Sequence, residues 1–409
     1  DTCLIYNPLI FKSMNNILQY KFIKIIFSLL RKIIKIILEK IIKKIIGKKL
    51  FYKIIGRNVS TLTSENFLAW WIDYKKSNKL DLDLESMIND LTESHNFNNY
   101  SPYWNNLAQN HIKLLNENGI ENFKQTIERV HYWGEGSVRS KLLQPIWSDE
   151  ITILYNPDEL QKKHEFCSEK ESLEYNQANL ILLNYLVNNG YEKYLNELEE
   201  NKFGNSILFN YKNKEYSHSL LNSILEIDVI KKNIIFDENT SILEIGAGSG
   251  RICSALLQTE NKLKYTIADI APTLYIAQAN LSNVFKDKKI FKYRKFNSFE
   301  EIEKEFISCD IRFLLPEQIK FIPKKFFNLS IAVDCLHEFK KNQVEEYFNE
   351  FNRLSKFFYF KCQNTQTAIF ERKEMYNINN YPVKNNWEKV MHEKCFIPNG
   401  YFQALYKIN

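Results

Sequence analysis

The pattern of apolar and polar residues divides the chain into a helical first half and an α/β second half. Between residues 60 and 235, apolar residues recur at helical spacing. Beyond residue 236, short β-rich runs alternate with helical stretches, which is typical of βαβ units in a parallel, doubly wound sheet. The first half predicts helices at 64–76, 103–118, 121–130 and 171–199.

The second half predicts five strands before a closing hairpin. The strands at 387–395 and 401–408 flank Pro398-Asn399-Gly400, which predicts an antiparallel pair. The expected fold class is therefore α/β: a Rossmann-like doubly wound sheet with a C-terminal antiparallel hairpin, preceded by a mostly helical N-terminal domain. We expect a helical cap or substrate domain over 57–235 and the α/β domain over 236–409. The five earlier strands are predicted at 241–245, 264–270, 311–315, 329–335 and 357–362.

The stretch 14–56 has isoleucines at helical spacing and lysines on the other face, which predicts a basic amphipathic helix. Frequent lysines argue against a membrane span. One interpretation places residues 15–56 on an anionic membrane surface as a peripheral contact; packing on the body or on a second copy is the other. We interpret residues 1–13, which precede Met14, as a non-native extension.

Charge and cysteine content restrict the class of protein. Residues 1–57 hold thirteen Lys and Arg against Asp1 and Glu39, so the chain's net charge of +6 leaves the remainder acidic. An acidic body argues against a nucleic-acid partner. Seven cysteines without CxxC spacing indicate reduced thiols rather than a disulfide framework or a zinc site. We therefore expect a cytoplasmic protein with no metal. In the membrane interpretation, residues 15–56 hold it at the inner face of the membrane; the oligomeric state stays open.

The strongest chemical signal lies between residues 241 and 251. A predicted strand ends at Glu244-Ile-Gly246-Ala247-Gly248-Ser-Gly250-Arg251, and a predicted helix follows. Glycines let the backbone turn sharply and approach a ligand, and the free N–H groups of the helix favour an anionic group. Asp269 ends the next strand, where a carboxylate can accept hydrogen bonds from ribose hydroxyls.

Two further strand ends carry candidate residues, because ligands of open α/β sheets bind at the carboxyl ends of strands. After the third strand, Glu317 or Gln318 is a candidate for a polar contact with a ligand, and Leu314 or Leu315 for packing on it. After the fourth strand, Asp334 and Cys335 are candidates for contact with a bound cofactor. His337 has a suitable pKa for a general base, and Glu338 can orient it or act as the base itself.

These motifs resemble class I S-adenosylmethionine-dependent methyltransferases. The segments SPYWNNLAQNHIKLLNENGIENFKQTI, ADIAPTLYIAQANLS, FLLPEQIKFIP, DCLHEF and CFIPNGYFQALY further resemble bacterial sugar O-methyltransferases. The resemblance implies S-adenosyl-L-methionine as cofactor, a sugar or cell-surface glycan precursor as acceptor, and Glu244 as the carboxylate that reaches the cofactor's ammonium group. It also implies that Glu317 or Gln318 bonds the adenine amino group of the cofactor and that Leu314 or Leu315 packs on the adenine ring. It implies these cofactor residues: Glu244, Gly246, Ala247, Gly248, Gly250, Arg251, Asp269, Ile270, Leu315, Gln318, Asp334 and Cys335.

A sugar acceptor would give the aromatic clusters of the first half a role. Tyr103, Trp104 and Trp133 can stack on a sugar ring, and Arg139 can hold a phosphate; burial in the core is the alternative. Three other functions remain open. They are a methyltransferase acting on another small metabolite or a lipid headgroup, a non-catalytic scaffold in a glycan-assembly complex, and a nicotinamide-dependent oxidoreductase, which the glycine spacing disfavours.

Overall fold

The N-terminal part of the computed structural model is a set of helices with one small hairpin. The structure describes residues 62–94, 97, 100–132, 169–363 and 376–409. Several helices begin at Ser, Thr or Asp N-caps, among them Asp81 and Ser101, whose side chains accept backbone N–H bonds. The helices are α1 (Ser64–Ser77), α2 (Leu82–Glu93), α3 (Pro102–Asn118), a 3₁₀ turn (Ile120–Asn122), a π-helix (Lys124–Tyr132), α4 (Glu169–Asn188), α5 (Glu192–Glu197) and α6 (His218–Asn233). The hairpin pairs β1 (Phe209–Tyr211) with β2 (Lys214–Tyr216).

Strands and helices alternate in the rest of the chain. The strands are β3 (Ser241–Ile245), β4 (Lys264–Ala268), β5 (Ile290–Phe291), β6 (Ile311–Leu314), β7 (Phe327–Val333), β8 (Ser355–Gln363), β9 (Trp387–Lys394) and β10 (Tyr401–Ile408). The helices between them are α7 (Arg251–Thr259), α8 (Thr273–Val284), α9 (Glu303–Ser308) and α10 (Lys341–Leu354), with 3₁₀ turns at Pro316–Phe321 and Leu336–Glu338.

These eight strands form one sheet in the order β5-β6-β4-β3-β7-β8-β10-β9. Neighbouring strands are parallel from β5 to β8, and β10 runs antiparallel to both β8 and β9. The open parallel sheet, its antiparallel C-terminal hairpin and the mostly helical part before it confirm the expected fold class. The sequence did not predict the two-residue strand β5 or the hairpin β1–β2.

The sheet carries a hydrophobic core on each face. Parallel strands covered on both faces are almost continuously apolar, and β3 is buried along its whole length. Leu243 faces a core that includes Phe348 of α10. Ile242 faces a core that also contains Trp71 of α1 and Ile112 of α3. The N-terminal helices therefore pack against one face of the sheet, within a single compact unit, Thr61–Asn409.

The order of the strands creates the site where ligands of such sheets bind. The chain runs outward from β3 through β4 to the edge strand β5, comes back through β6, and then crosses to place β7 on the other side of β3. A crevice opens at the carboxyl ends of strands where the direction reverses. Ile245 is in register with Ala268 on one side and Ala332 on the other. The residues that follow these three strands therefore converge.

Candidate cofactor and acceptor site

A cavity lined by described residues lies at this convergence. Its volume of about 1190 Å³ includes the open solvent at its mouth. Loop residues after β3, β4 and β7 contribute to its lining, together with side chains of α3, α10 and the π-helix. We call Glu244, Gly246, Gly248 and Asp269 the glycine-loop half, and Tyr103, Trp104, Asp334 and Glu338 the aromatic half; all of them line the cavity.

The glycines of the loop are required by close packing. Gly246 has a φ of 68°, and a Cβ atom there would lie 2.7 Å from the Cβ of Cys335. Gly250, the N-cap of α7, has a φ of 79°, and its added Cβ would lie 2.7 Å from Cδ1 of Leu281. Because other residues rarely adopt positive φ values and both contacts are too short, the loop can pass this closely only with glycine.

Asp269 binds the glycine loop through its carboxylate. Oδ2 accepts a hydrogen bond from the N–H of Gly248 at 3.0 Å, and Oδ1 accepts one from the N–H of Ile270 at 2.8 Å. Burial raises the pKa of Asp269 to about 7, and these two bonds oppose the shift. The side chain therefore connects the ends of β3 and β4 while its oxygens remain at the cavity wall.

Glu244 is a buried carboxylate on an otherwise apolar strand. Its Oε2 accepts a hydrogen bond from the Tyr265 hydroxyl at 2.9 Å. Burial raises the pKa of Glu244 to about 8, although Tyr265 and Arg251 act in the opposite direction. A carboxylate of this kind is better stabilised in its ionised form when a cationic group binds beside it.

A buried ion network that the sequence did not predict lies beside the loop. The Arg251 guanidinium donates to Glu226 of α6 at 2.9 and 3.4 Å, and Lys361 of β8 donates to the same carboxylate at 2.7 Å. Burial alone would raise the pKa of Glu226, but the two cations hold it below its ordinary value. Arg251 lines the cavity as expected, but its guanidinium is already hydrogen-bonded to Glu226, which it shares with Lys361.

Ser249, inside the glycine loop, forms hydrogen bonds through both its hydroxyl and its carbonyl. Its hydroxyl donates to Oε2 of Glu128 at 3.3 Å, and its carbonyl accepts from Nδ2 of Asn280 at 2.7 Å. Glu128 also accepts from the hydroxyl of Ser219 on α6. Glu128 belongs to the π-helix and lines the cavity. Sequence reasoning missed it, because its bond to Ser249 spans 121 residues and no local pattern marks it.

The aromatic half brings α3 against the end of β7. The rings of Tyr103 and Trp104 meet edge to face with centroids 5.6 Å apart. Burial raises the pKa of Tyr103, and the negative charges of Glu338 and Asp334 raise it further. The indole Nε1 of Trp104 is buried and has no hydrogen-bond partner among the described residues. The structure thus places both sequence-predicted aromatic residues in the same cavity as the glycine loop.

Glu338 and Asp334 differ in how they are held. Burial raises the pKa of Glu338 well above its ordinary value, and the charges of Asp334 and Asp269 add to the shift. Asp334 follows β7 with a φ of 60°, and its Oδ1 accepts a hydrogen bond from the Tyr401 hydroxyl at 2.8 Å. Glu338 is therefore the less constrained carboxylate of the two.

Three predicted residues lie outside the cavity lining. The side chain of Gln318 forms two hydrogen bonds to backbone groups. Its Oε1 accepts from the Leu315 N–H at 2.9 Å, and its Nε2 donates to the Arg294 carbonyl at 2.9 Å. Leu315 is buried in the core. His337 lies 3.6 Å from Asp334, and burial lowers its pKa. Of the two residues proposed as base, Glu338 alone contributes to the lining.

The remaining candidates divide into two groups. Ala247, Ile270 and Cys335 line the cavity, whereas Trp133 and Arg139 lie outside the described residues. Within the described ranges, no group of three or more His, Cys, Asp or Glu side chains is arranged to hold a metal ion. In the same part of the chain, no helix has the length and apolar composition needed to cross a bilayer.

Comparison with solved structures finds methyltransferases among those that resemble this fold. A SAM-dependent methyltransferase from Aquifex aeolicus is 14% identical over 45% of this chain and 89% of its own, with a TM-score of 0.28. The mitomycin 7-O-methyltransferase MmcR is 10% identical over 46% of this chain and 57% of its own, with a TM-score of 0.29. The PH0226 protein from Pyrococcus horikoshii OT3 is 14% identical over 49% of this chain and 93% of its own, with a TM-score of 0.30.

These likenesses, at such identities and scores, assign neither an activity nor a ligand to this chain. No protein-family model matches the sequence, and no curated protein matches it. The chemistry must therefore be inferred from the residues of the cavity.

Proposed function

We propose that the protein is an S-adenosyl-L-methionine-dependent O-methyltransferase that methylates a hydroxyl of a sugar or glycan precursor. One observation carries the proposal. A strand–glycine loop–helix unit with Glu244 and Asp269 shares its cavity with Glu338, a carboxylate to which no described side chain hydrogen-bonds, and with aromatic side chains of α3.

The glycine-loop half fits the cofactor. A Cβ atom added at Gly248 would meet nothing within 4 Å, so the backbone there borders open space. The Asp269 oxygens suit the ribose hydroxyls, and Glu244 suits the ammonium group, because a cation offsets the burial that raises its pKa. The N-terminal end of α7 favours the cofactor's carboxylate.

The aromatic half fits removal of a proton from an acceptor hydroxyl. When bound, S-adenosyl-L-methionine supplies a methyl group on positively charged sulfur. Glu338 accepts the hydroxyl proton, since its raised pKa makes it a stronger base than an ordinary carboxylate. Tyr103 and Trp104 position the acceptor, and aromatic faces suit the apolar faces of a sugar ring. Alignment of the acceptor contributes most of the rate.

A methyltransferase acting on another small metabolite or a lipid headgroup would use the same cofactor half. The preference for a sugar rests on the aromatic pair and on the resemblance of SPYW and the neighbouring segments to sugar O-methyltransferases. The proposed place of action is the cytoplasm. Contact of residues 15–56 with a membrane remains a prediction, because those residues lie outside the described ranges.

Calorimetric titration with S-adenosyl-L-methionine and, separately, with NADH tests the cofactor assignment. We expect micromolar affinity for the methyl donor and none for NADH. Asp269→Ala should weaken donor binding at least ~tenfold, because two ribose hydrogen bonds to a charged acceptor are lost. Asp287→Ala, which removes an exposed aspartate after α8, should leave the affinity unchanged.

Absence of donor binding would remove the enzymatic proposal and favour the scaffold function. NADH binding at similar affinity would favour an oxidoreductase.

A further inference from the structure

The described lining of the cavity has an unbalanced charge. It contains a single cationic side chain, Arg251. Arg251 makes two hydrogen bonds to Glu226, and the neighbouring cation Lys361 is bonded to the same carboxylate. Neither cation is therefore available to a ligand. The lining carboxylates number five: Glu128, Glu244, Asp269, Asp334 and Glu338.

The carboxylates that have no role toward the cofactor lie where the acceptor would lie. The proposed function assigns Glu244 and Asp269 to the cofactor, which leaves Asp334 and Glu338 in the aromatic half and Glu128 between the two halves. Asp334 accepts a hydrogen bond from a neutral hydroxyl, that of Tyr401. Cavities lined by charges of one sign concentrate ligands of opposite sign and exclude those of the same sign.

We propose, on the basis of the proposed function, that the acceptor is an uncharged polyhydroxylated molecule without phosphate or carboxylate at the end that enters the cavity. Sugar phosphates and nucleotide-linked sugars are then poor acceptors. An anionic group beside Asp334 and Glu338 would bring like charges together with no described cation free to offset them, which is a recognised means of rejecting a wrong ligand.

Burial of these carboxylates supports the same conclusion. Burial raises the pKa of Glu338, and the charges of Asp334 and Asp269 already raise it further. Another anion would stabilise the protonated form of Glu338 still more. A phosphate-bearing acceptor would therefore both bind poorly and hold the proposed base in its inactive form.

Fluorescence quenching of Trp104 measures the sign of this charge without any acceptor or turnover. The full chain is titrated at pH 8 with iodide, caesium ion or neutral acrylamide, and the Trp104 contribution is taken as the difference from Trp104→Phe. We expect caesium to quench Trp104 about tenfold more effectively than iodide, after normalisation to free tryptophan amide, because the cavity potential attracts cations. Trp104→Tyr serves as the reference if the phenylalanine variant does not fold.

Two variants locate the source of the effect. Asp334→Asn combined with Glu338→Gln should bring the two quenching constants close to each other, and Asp334→Asn alone should do so in part. Glu388→Gln removes an exposed carboxylate on β9, paired with Lys407, and should leave the ratio unchanged. Equal quenching by iodide and caesium in the unaltered chain would overturn the proposal.

A transfer assay with labelled S-adenosyl-L-methionine provides the second test. A hexose glycoside and its phosphate ester are compared at matched concentrations, and we expect kcat/KM to be at least ~100-fold higher for the uncharged compound. A phosphate ester used equally well or better would overturn the proposal. If neither is methylated, the quenching result decides. Failure of the proposed function has a separate signature, the absence of donor binding in the calorimeter.

Discussion

The two halves of the cavity differ in how their polar groups are satisfied. In the glycine-loop half, Asp269 accepts two backbone bonds and Glu244 accepts one from Tyr265. In the aromatic half, Trp104 Nε1 is buried and has no hydrogen-bond partner among the described residues. No described side chain hydrogen-bonds to the Glu338 carboxylate, whereas Asp334 accepts a bond from Tyr401. The glycine-loop half is therefore held more fully by its own chain. Preorganised groups suit the cofactor of the proposed function, and the unpartnered groups suit its acceptor.

The largest effect should come from the network behind the glycine-loop half. Glu226→Gln leaves Arg251 and Lys361 without a buried counter-charge, so we expect the free energy of unfolding in urea to fall by about 3 kcal/mol. Glu388→Gln, from an exposed pair with Lys407, should change it by less than ~0.5 kcal/mol. Equal losses of unfolding free energy in the two variants would show that the buried network does not stabilise the loop.

The next effect should separate the two possible bases in the aromatic half. Glu338→Gln should lower kcat about 100-fold and leave the donor's Kd unchanged, because proton removal is lost while the glycine-loop half stays intact. His337→Gln, outside the lining, should lower kcat by much less. The kcat values are measured in methyl-transfer assays stopped at fixed times. A larger loss of kcat in His337→Gln than in Glu338→Gln would assign the base to His337.

Close packing of the loop predicts a smaller effect. Gly246→Ala should weaken donor binding by about 2 kcal/mol, because positive φ and the contact with Cys335 both oppose a Cβ atom. Gly190→Ala is the matched control: its φ is 81°, but the added Cβ meets nothing within 4 Å. Calorimetric titration should show normal affinity in that control. Normal affinity in Gly246→Ala as well would mean that the loop can move away from Cys335.

The smallest expected effect is a pH dependence of donor binding. Burial raises the pKa of Asp269 to about 7, so Asp269 is largely protonated at pH 6 and binds the donor's ribose best when ionised. Affinity should therefore rise roughly tenfold between pH 6 and pH 8. Asp269→Asn should flatten the profile measured by calorimetry. A flat profile in the unaltered chain would contradict this pKa shift.

The sequence predicted what local pattern determines. Gly246, Gly248 and Gly250 follow a strand and begin a helix, and Asp269 ends the next strand, so their convergence follows from the βαβ order alone. The register of β3 with β4 and β7 confirms that expectation. Tyr103 and Trp104 line the same cavity, although no local rule places α3 over the sheet; their contact with an acceptor stays a prediction.

What the sequence could not predict depends on contacts between distant segments. Glu128 reaches Ser249 across 121 residues, and Lys361 reaches Glu226 across 135. Charge alone did not distinguish these residues from exposed ones. Gln318 was proposed as an adenine partner because of its place after a strand. Its side-chain amide hydrogen-bonds the backbone of Leu315 and Arg294 instead. The sequence pattern does not reveal that these backbone groups compete with a ligand for the amide.

The position of β10 also affects how the protein is made. Tyr401 at its start supplies the hydroxyl that bonds to Asp334, and the two residues are 67 positions apart. β10 lies inside the sheet between β8 and β9. These two strands can therefore pair with β10 only after the ribosome has synthesised it. During translation, the glycine loop can form early, whereas Asp334 acquires its partner only after residues 401–408 have emerged. A nascent chain stalled before that point should already hold the donor's side of the cavity but lack the complete wall for the acceptor.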